Sequence, residues 1–419
     1  MITLARWDAA DRGLLTLLNA PAMTAHLGGP ESEEQLDDRH DRYLRTWSGR
    51  PGAMYRIDVD GAPAGGIGFW PVDEDGTPAF EAGWSVLPEF QGQGVATGAL
   101  RLLIAEVRRD GSRTLLMAYP GIDNVPSNAL CARAGFEERG TGSEPWRGGI
   151  LTFRRWALDM SPLDLTGRTP DVDERFAGDT LDADRWWPHY LPHWSSRERT
   201  AARYRVSNGL ELRIDADTEP WGPEWDGQVR VSHLQTGQRA GVVGSDAGQH
   251  RFRDGLVVRE AQDECRLWLP RFGVIAAQMS AVRHPDAMVA FWPIGFEDRP
   301  EESGEICIAE IFGSEIDDTG GWVGIGVKAQ HDPRLRDDVE KVRVDGDLTA
   351  PHEYAVEWSA DRLRFFIDGR WVKTVTQRID YPVQLMLDLY ELPRRDGRRD
   401  ASSHPIEFRV DRVRTFPPR

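Results

Sequence analysis

The chain has 419 residues, with 68 acidic against 51 basic side chains and a formal charge of −17. That length exceeds the usual single domain and allows two separate cores. The acidic balance excludes a phosphate backbone as an expected partner, because such a contact surface is dominated by Lys and Arg, and it suits amines better than nucleic acid.

In chain order, Asp8 to Asn19 and Glu33 to Trp47 show helical periodicity. Ala53 to Val59 and Gly65 to Trp70 read as hairpin strands across a turn at Asp60 to Pro63. Ala79 to Leu87 is a third strand, followed by a glycine loop and a helix from Gly94 to Arg109. Thr114 to Tyr119 is a strand, Pro126 to Ala134 a helix and Gly149 to Trp156 a closing strand, an order that fits a mixed α/β domain over residues 1–158. Residues 159–170 hold Pro162 and Pro170 with little periodicity and are expected to be a linker. In 171–419 helical periodicity nearly vanishes. Short runs at Gly209 to Asp215, Leu256 to Val258, Gly273 to Ser280, Glu353 to Trp358 and Leu363 to Ile367 recur between turn residues, the pattern of a large antiparallel sandwich or barrel.

Met1 to Asp8 show no basic segment leading into an apolar stretch, and no apolar run is long enough to span a bilayer. Cys131, Cys265 and Cys307 are odd in number and widely spaced, so neither a disulfide framework nor a metal site is expected. These features together predict a cytoplasmic protein with no membrane partner.

The loop Glu89-Phe90-Gln91-Gly92-Gln93-Gly94-Val95-Ala96 sits between a strand and an amphipathic helix. Its glycines let the backbone approach a ligand, and the helix that follows offers unpaired N–H groups to an anion. No Lys-Ser/Thr pair follows, which disfavours a nucleotide triphosphate loop. Gln91, Gly94 and Ala96, with Asn124-Val125-Pro126-Ser127 and a helix ending at Gly135-Phe136, resemble the motifs of the GNAT N-acetyltransferase superfamily. The resemblance implies a GNAT α/β fold and acetyl-CoA as co-substrate. Gln91, Gly92, Gln93, Gly94, Val95 and Ala96 would surround its pyrophosphate, Asn124 would lie near the pantetheine arm, and Val86 and Ser127 would complete the cofactor-binding set. Several family members place a general base where this chain has Glu81; the other reading is a solvated strand-end carboxylate. Cys131 stands where many relatives have a tyrosine acid, and is expected to be a packed helix residue instead.

Downstream, Glu305-Ile306-Cys307-Ile308-Ala309-Glu310 carries two carboxylates on a strand-like run. Retaining glycosidases need two carboxyl groups about 5–5.5 Å apart. Residues five apart on a regular strand face oppositely, so shared use of Glu305 and Glu310 predicts one β-bulge between them. This half resembles glycoside hydrolase family 16, the laminarinase-like and lichenase-like enzymes, whose bulged signature is Glu-x-Asp-x-x-Glu. Met288 to Pro293, His352 to Trp358 and Phe365 to Gly369 resemble further strands of that family. The resemblance implies a concanavalin A-like jelly-roll sandwich, carbohydrate as ligand, Glu305 as nucleophile and Glu310 as acid/base. Cys307 replaces the family's central aspartate. Losing that charge is expected to ease ionisation of both glutamates and so weaken the general acid. Trp187, Trp194, Trp225 and Trp292 are expected to contact sugar, with Asp226 and His331 near the same cleft, and Trp358 to pack in the core.

The resulting expectation is a bifunctional protein, transferring acetyl to a small-molecule amine or amino sugar and cleaving or transferring a glycoside. In the alternative, the second domain is a lectin-like binding module, and in a third reading the two functions are unrelated and the acetyl acceptor is a protein N-terminus.

Overall fold

In the computed structural model, which describes residues 1–49, 51–147, 149–393 and 403–419, the chain divides into two units, Met1–Ser161 and Pro162–Arg419. The first contains strands β1 (Ile2–Arg6), β2 (Ala53–Val59), β3 (Ala62–Glu74), β4 (Thr77–Val86), β5 (Leu115–Ala118), β6 (Glu137–Trp146) and β7 (Gly149–Asp159). They form one mixed sheet in the order β1-β2-β3-β4-β5-β7-β6. Helices α1 (Arg12–Leu18), α2 (Glu33–Arg45), α3 (Val95–Asp110) and α4 (Val125–Arg133) complete it.

Local chemistry explains the boundaries. α2 opens on a capping box in which Ser32 and Gln35 exchange side-chain and backbone hydrogen bonds, and it buries Leu36 against Trp7, Leu14, Leu15 and Leu18. α3 buries Val95, Ala99, Leu100, Leu103 and Val107 along one face and stops at Gly111 in the left-handed region. The predicted helix over Asp8 to Asn19 is shorter, because Ala9–Asp11 form a 3-10 turn first.

The feature that makes a site lies mid-sheet. β4 and β5 run parallel but pair only at Phe80–Leu116 and Glu81–Met117. Beyond Glu81 the two strands part, leaving their C-terminal ends unjoined.

The second unit is an antiparallel sandwich. One sheet sets Arg230–Gln235, Met386–Glu391, Ala287–Phe291, Glu305–Phe312, Gly320–Lys328 and Asp338–Asp345 side by side. The other includes Leu363–Ile367, Pro351–Trp358, Gly273–Ser280, Ile406–Phe416 and Leu210–Ile214. Between them lie Ile275, Val289, Ile308, Val323, Ile325, Val356, Phe365 and Phe408, all almost fully buried. Burial of one face per strand is what fixes the register of such a sheet.

The run Leu256 to Val258 is not a strand. Leu256 and Val258 are buried in a loop that packs on Trp221 and Tyr190, so its apolar character serves loop packing. The segment 159–170 is shared: Asp159 ends β7 and Met160 N–H donates to Thr114 O at 2.7 Å in the first unit, while Leu163 N–H donates to Gly369 O at 2.8 Å and Arg419 pairs with Asp164 in the second.

Candidate active sites

A cavity of about 270 Å³ occupies the gap between β4 and β5. Glu81 to Ser85 and Ala118 to Gly121 form its walls, with Leu15, Leu18 and Met23 on the helical side and Asn124 and Ser127 at the start of α4. Asn124 Oδ1 accepts from Ser127 N–H at 3.2 Å, so the residue caps α4 while lining the cavity.

Glu81 faces this space. Burial pushes its pKa up to about 7, against the lowering effect of the Trp70 indole N–H at 3.1 Å, and Glu144 and Glu74 add to the rise. A carboxylate half-ionised near neutrality is matched to taking a proton from an ammonium. Tyr119, which sequence reasoning passed over, lines the same cavity, and its hydroxyl donates to Glu74. Burial and Glu74 both hold that hydroxyl protonated, leaving it a fixed donor dipole. Cys131 is fully buried and its thiol is pushed up to about 12 by burial; it packs α4.

Gly92 and Gly94 adopt φ of +71° and +78°, and open space surrounds both. α3 begins at Gly94 without a side-chain cap and without an acid in its first turn. Its first N–H groups are therefore left to a ligand, and an anion is the favoured one. Gln91 Nε2 donates to Val86 O at 2.8 Å and Gln93 Nε2 to Glu89 O at 2.6 Å, so both side chains brace the loop. Val86 and Val95 are buried, which leaves only their backbone groups to face a ligand. This arrangement fits a pyrophosphate group at the loop Gln91 to Ala96.

In the second unit, the strand Glu305–Phe312 pairs with Gly320–Lys328 at Cys307–Gly326 and then at Glu310–Gly324. Three steps on one strand match two on its neighbour, which is a β-bulge. The side chains agree. Ile306, Ile308, Ala309 and Ile311 enter the sandwich core, while Glu305, Cys307 and Glu310 line a cavity of about 220 Å³ on the other face. Consecutive inward positions at Ile308 and Ala309 mark the extra residue.

Lys328 Nζ lies 2.9 Å from Glu305 Oε1 and 3.3 Å from Glu310 Oε1. Those two oxygens are therefore at most about 6 Å apart, which puts both carboxyl groups around one ammonium. Gln330 Nε2 donates to Glu305 Oε2 at 2.7 Å. Burial dominates Glu305, only 4% exposed, and raises its pKa against the pull of Lys328 and Gln330. Desolvation is thus the larger influence on Glu305 in this chain, whatever the missing aspartate charge contributes. Burial opposes the Lys328 charge too, but Glu305 and Glu310 hold its pKa above the usual lysine value. Cys307 Sγ donates to Gly324 O at 3.4 Å, and burial keeps the thiol protonated, so it is no nucleophile.

Of the four tryptophans expected at sugar, Trp292 alone lines this cavity, its indole N–H donating to the buried Asp388. Trp194 is fully buried with Nε1 bonded to Gln249 O at 3.0 Å, and Trp225 donates to Trp194 O at 3.1 Å beneath Arg259. Trp187 is half-buried near Arg197. Trp194 and Trp225 thus brace loops through their indole N–H groups, whereas the buried Trp187 Nε1 has no hydrogen-bond partner among the described residues. Asp226 accepts from Trp221, and the His331 ring meets Arg251 O; neither lines the cavity. Trp358 packs in the core. Residues not read from sequence supply much of the wall: Tyr190, Tyr390, His250, Phe252, Lys328 and Gln330. Alternation would have found Lys328. Val323, Ile325 and Val327 point into the core, so Gly324, Gly326 and Lys328 take the carboxylate face.

Residues 2–137 match the family model of the acetyltransferase (GNAT) domain, and residues 269–391 match that of glycosyl hydrolases family 16. Among solved structures, the chain is similar to the GlcNAcα1-4Gal-releasing endo-β-galactosidase from Clostridium perfringens, at 26% identity and a TM-score of 0.53, over 62% of this chain and 65% of that one. It thus spans 65% of that enzyme's length. It is also similar to a laminarinase from Flavobacterium sp. UMI-01, at 17% identity and TM-score 0.43, over 59% of this chain and 100% of that one. The ribosomal L7/L12 alpha-N-protein acetyltransferase RimL matches at 22% identity and TM-score 0.34, over 38% of this chain and 90% of its own. No curated protein matches the chain. The two matched segments contain Glu81 and the Gln91–Ala96 loop in one case and Glu305 and Glu310 in the other, so the chain joins an acetyltransferase (GNAT) domain to a glycosyl hydrolase family 16 domain.

Proposed function

We propose that the protein is bifunctional, acetylating an amine in its first domain and cleaving or transferring a glycoside with retention in its second. The observation that carries the glycosidase half is the bulge that sets Glu305 and Glu310 around one ammonium, with Trp292 in the same cavity. Glu305 attacks the anomeric carbon while Glu310 protonates the leaving oxygen; Glu310 then takes a proton from the water that releases the sugar. In the first domain, Glu81 takes the amine's proton and the α3 N-terminus binds the anionic end of the donor. When bound, acetyl-CoA supplies the acyl group as a thioester.

The similarity to an enzyme named for releasing GlcNAcα1-4Gal supports a β-galactoside that carries an amino sugar. Such a glycan, with its amine free, offers both an acetyl acceptor and a glycosidic bond. Dependence on acetyl-CoA and the absence, among the described residues, of a helix long and apolar enough to cross a membrane agree with work in the cytoplasm, and the charge of −17 agrees with no nucleic-acid partner. Incubation with acetyl-CoA and a panel of galactosides bearing free or acetylated amino sugars, read by mass spectrometry, is expected to show acetylated and shortened products. No mass change across the panel contradicts the proposal.

The second reading, a sugar-binding module without hydrolysis, is favoured by Cys307 and by the lysine that ties up both acids. Under it, Glu305→Gln binds glycan as tightly as the parent and neither protein shortens it.

A further inference from the structure

Among the described residues, the Glu305 carboxylate receives no hydrogen bond from its own strand. Cys307, two residues on and facing the same cavity, spends its thiol hydrogen on Gly324 O. Both partners of Glu305 come from the adjacent strand and the turn after it: Lys328 on Oε1 and Gln330 on Oε2. Lys328 lies directly across from Glu305 in the ladder. Gln330 sits at φ +50°, a conformation a non-glycine residue adopts only where its surroundings impose it, and the bend turns its amide onto the carboxylate.

The remaining titratable groups around Glu305 are Glu310, Cys307, His250, Tyr190 and Tyr390. Burial keeps the thiol and both phenols protonated and lowers the His250 pKa to about 3, so these four carry no charge near neutrality. Among the described lining residues, Lys328 is therefore the one cation that two carboxyl groups share.

We infer that Lys328 and Gln330 are positioning residues that hold Glu305 as the attacking carboxylate and that Lys328 also switches Glu310 from acid to base. This rests on the retaining glycosidase reading. The retaining reaction requires Glu310 to hold a proton at the moment of attack, when the lysine charge serves Glu305. Attack forms the bond from Glu305 oxygen to the anomeric carbon, breaks the bond to the leaving oxygen and moves the Glu310 proton onto that oxygen. Glu305 is then a neutral ester and Glu310 an anion. The lysine charge passes to Glu310, which stays ionised until it accepts a proton from the incoming water.

The test needs no substrate for its first arm. The intact protein, labelled with 13C at glutamate Cδ, is titrated by NMR, with Glu305→Gln identifying the resonance. Lys328→Met is expected to raise the Glu305 midpoint by about 1–3 pH units, Lys328→Arg to leave it near the parent value, and Gln330→Ala, which keeps the ion pair, to raise it by a smaller step. The second arm treats the same proteins with a 2-fluoro glycoside and locates the label by mass spectrometry. The parent is expected to label at Glu305 and Lys328→Met to label more slowly, with its acidic limb moved to higher pH. An unmoved midpoint in both Lys328→Met and Gln330→Ala overturns the inference even where Glu305 is labelled. A label on another residue overturns it together with the reading it rests on.

Discussion

Placing an aspartate at position 307 is a perturbation whose sign follows from the structure and whose size follows from the usual effect of burial. Cys307 is 1% exposed, and its sulfur donates to Gly324 O between the carboxyl groups of Glu305 and Glu310, with Lys328 already bound to both. A carboxylate at that place meets an acceptor oxygen and two carboxyl groups, and no further cation. Burial and like charge both raise its pKa, by about three units from an unfolded value of ~3.9. The folded state then binds a proton that the unfolded state has released. Stability is retained below about pH 4 and lost as pH rises toward about 7, by ~1.4 kcal/mol per unit, or about 4 kcal/mol in all. Urea denaturation of Cys307→Asp against the parent at pH 4.5 and pH 8, followed by tryptophan fluorescence, reads this difference. Cys307→Asn serves as the uncharged control and loses the same amount at both values. Equal destabilisation of Cys307→Asp at both pH values refutes the claim that the site is short of positive charge.

Other outcomes follow from the same geometry. Glu81→Gln is expected to slow acetyl transfer about 10²–10⁴-fold, and the parent rate to rise with pH through about 7 as the burial-raised carboxylate ionises, measured by CoA release. Gly94→Ala, at φ +78° with open space around it, costs about 1–2 kcal/mol from the left-handed backbone alone and weakens acetyl-CoA binding in calorimetry. Trp292→Ala removes a 6% exposed ring and takes the indole donor from Asp388 Oδ2, while His233 stays on Oδ1; it is expected to cost about 3–5 kcal/mol and abolish glycan binding, whereas Trp194→Phe, away from the cavity, leaves glycan affinity unchanged.

The fold and part of the sites were readable in the chain because period and turn chemistry act locally. The first-unit helices and most of its strands stand where periodicity put them, and the glycine loop ends at the helix start it implied. The bulge between Glu305 and Glu310 was legible from spacing, since only an extra residue lets two acids five apart share a face. What stayed hidden depends on neighbours distant in sequence. Lys328 meets Glu305 across a ladder, and Glu305 goes up in pKa through burial that a linear reading of Cys307 does not contain. The tryptophans misled for a related reason. Trp194 lies in a polar context, yet a loop 55 residues away supplies Gln249 O and closes over it. β1 and β6 were not read as strands, because β6 is exposed over most of its length and lacks an alternating apolar face.

In the proposed reaction, two glutamates brought together by a bulge cleave a glycosidic bond with retention. The most direct measurement is 1H NMR of the first sugar released from the glycan found in the mass-spectrometric panel, before mutarotation scrambles the anomers. A β-linked substrate is expected to give the β-anomer first. Initial appearance of the α-anomer, which requires a water between more widely spaced carboxyl groups, contradicts the account.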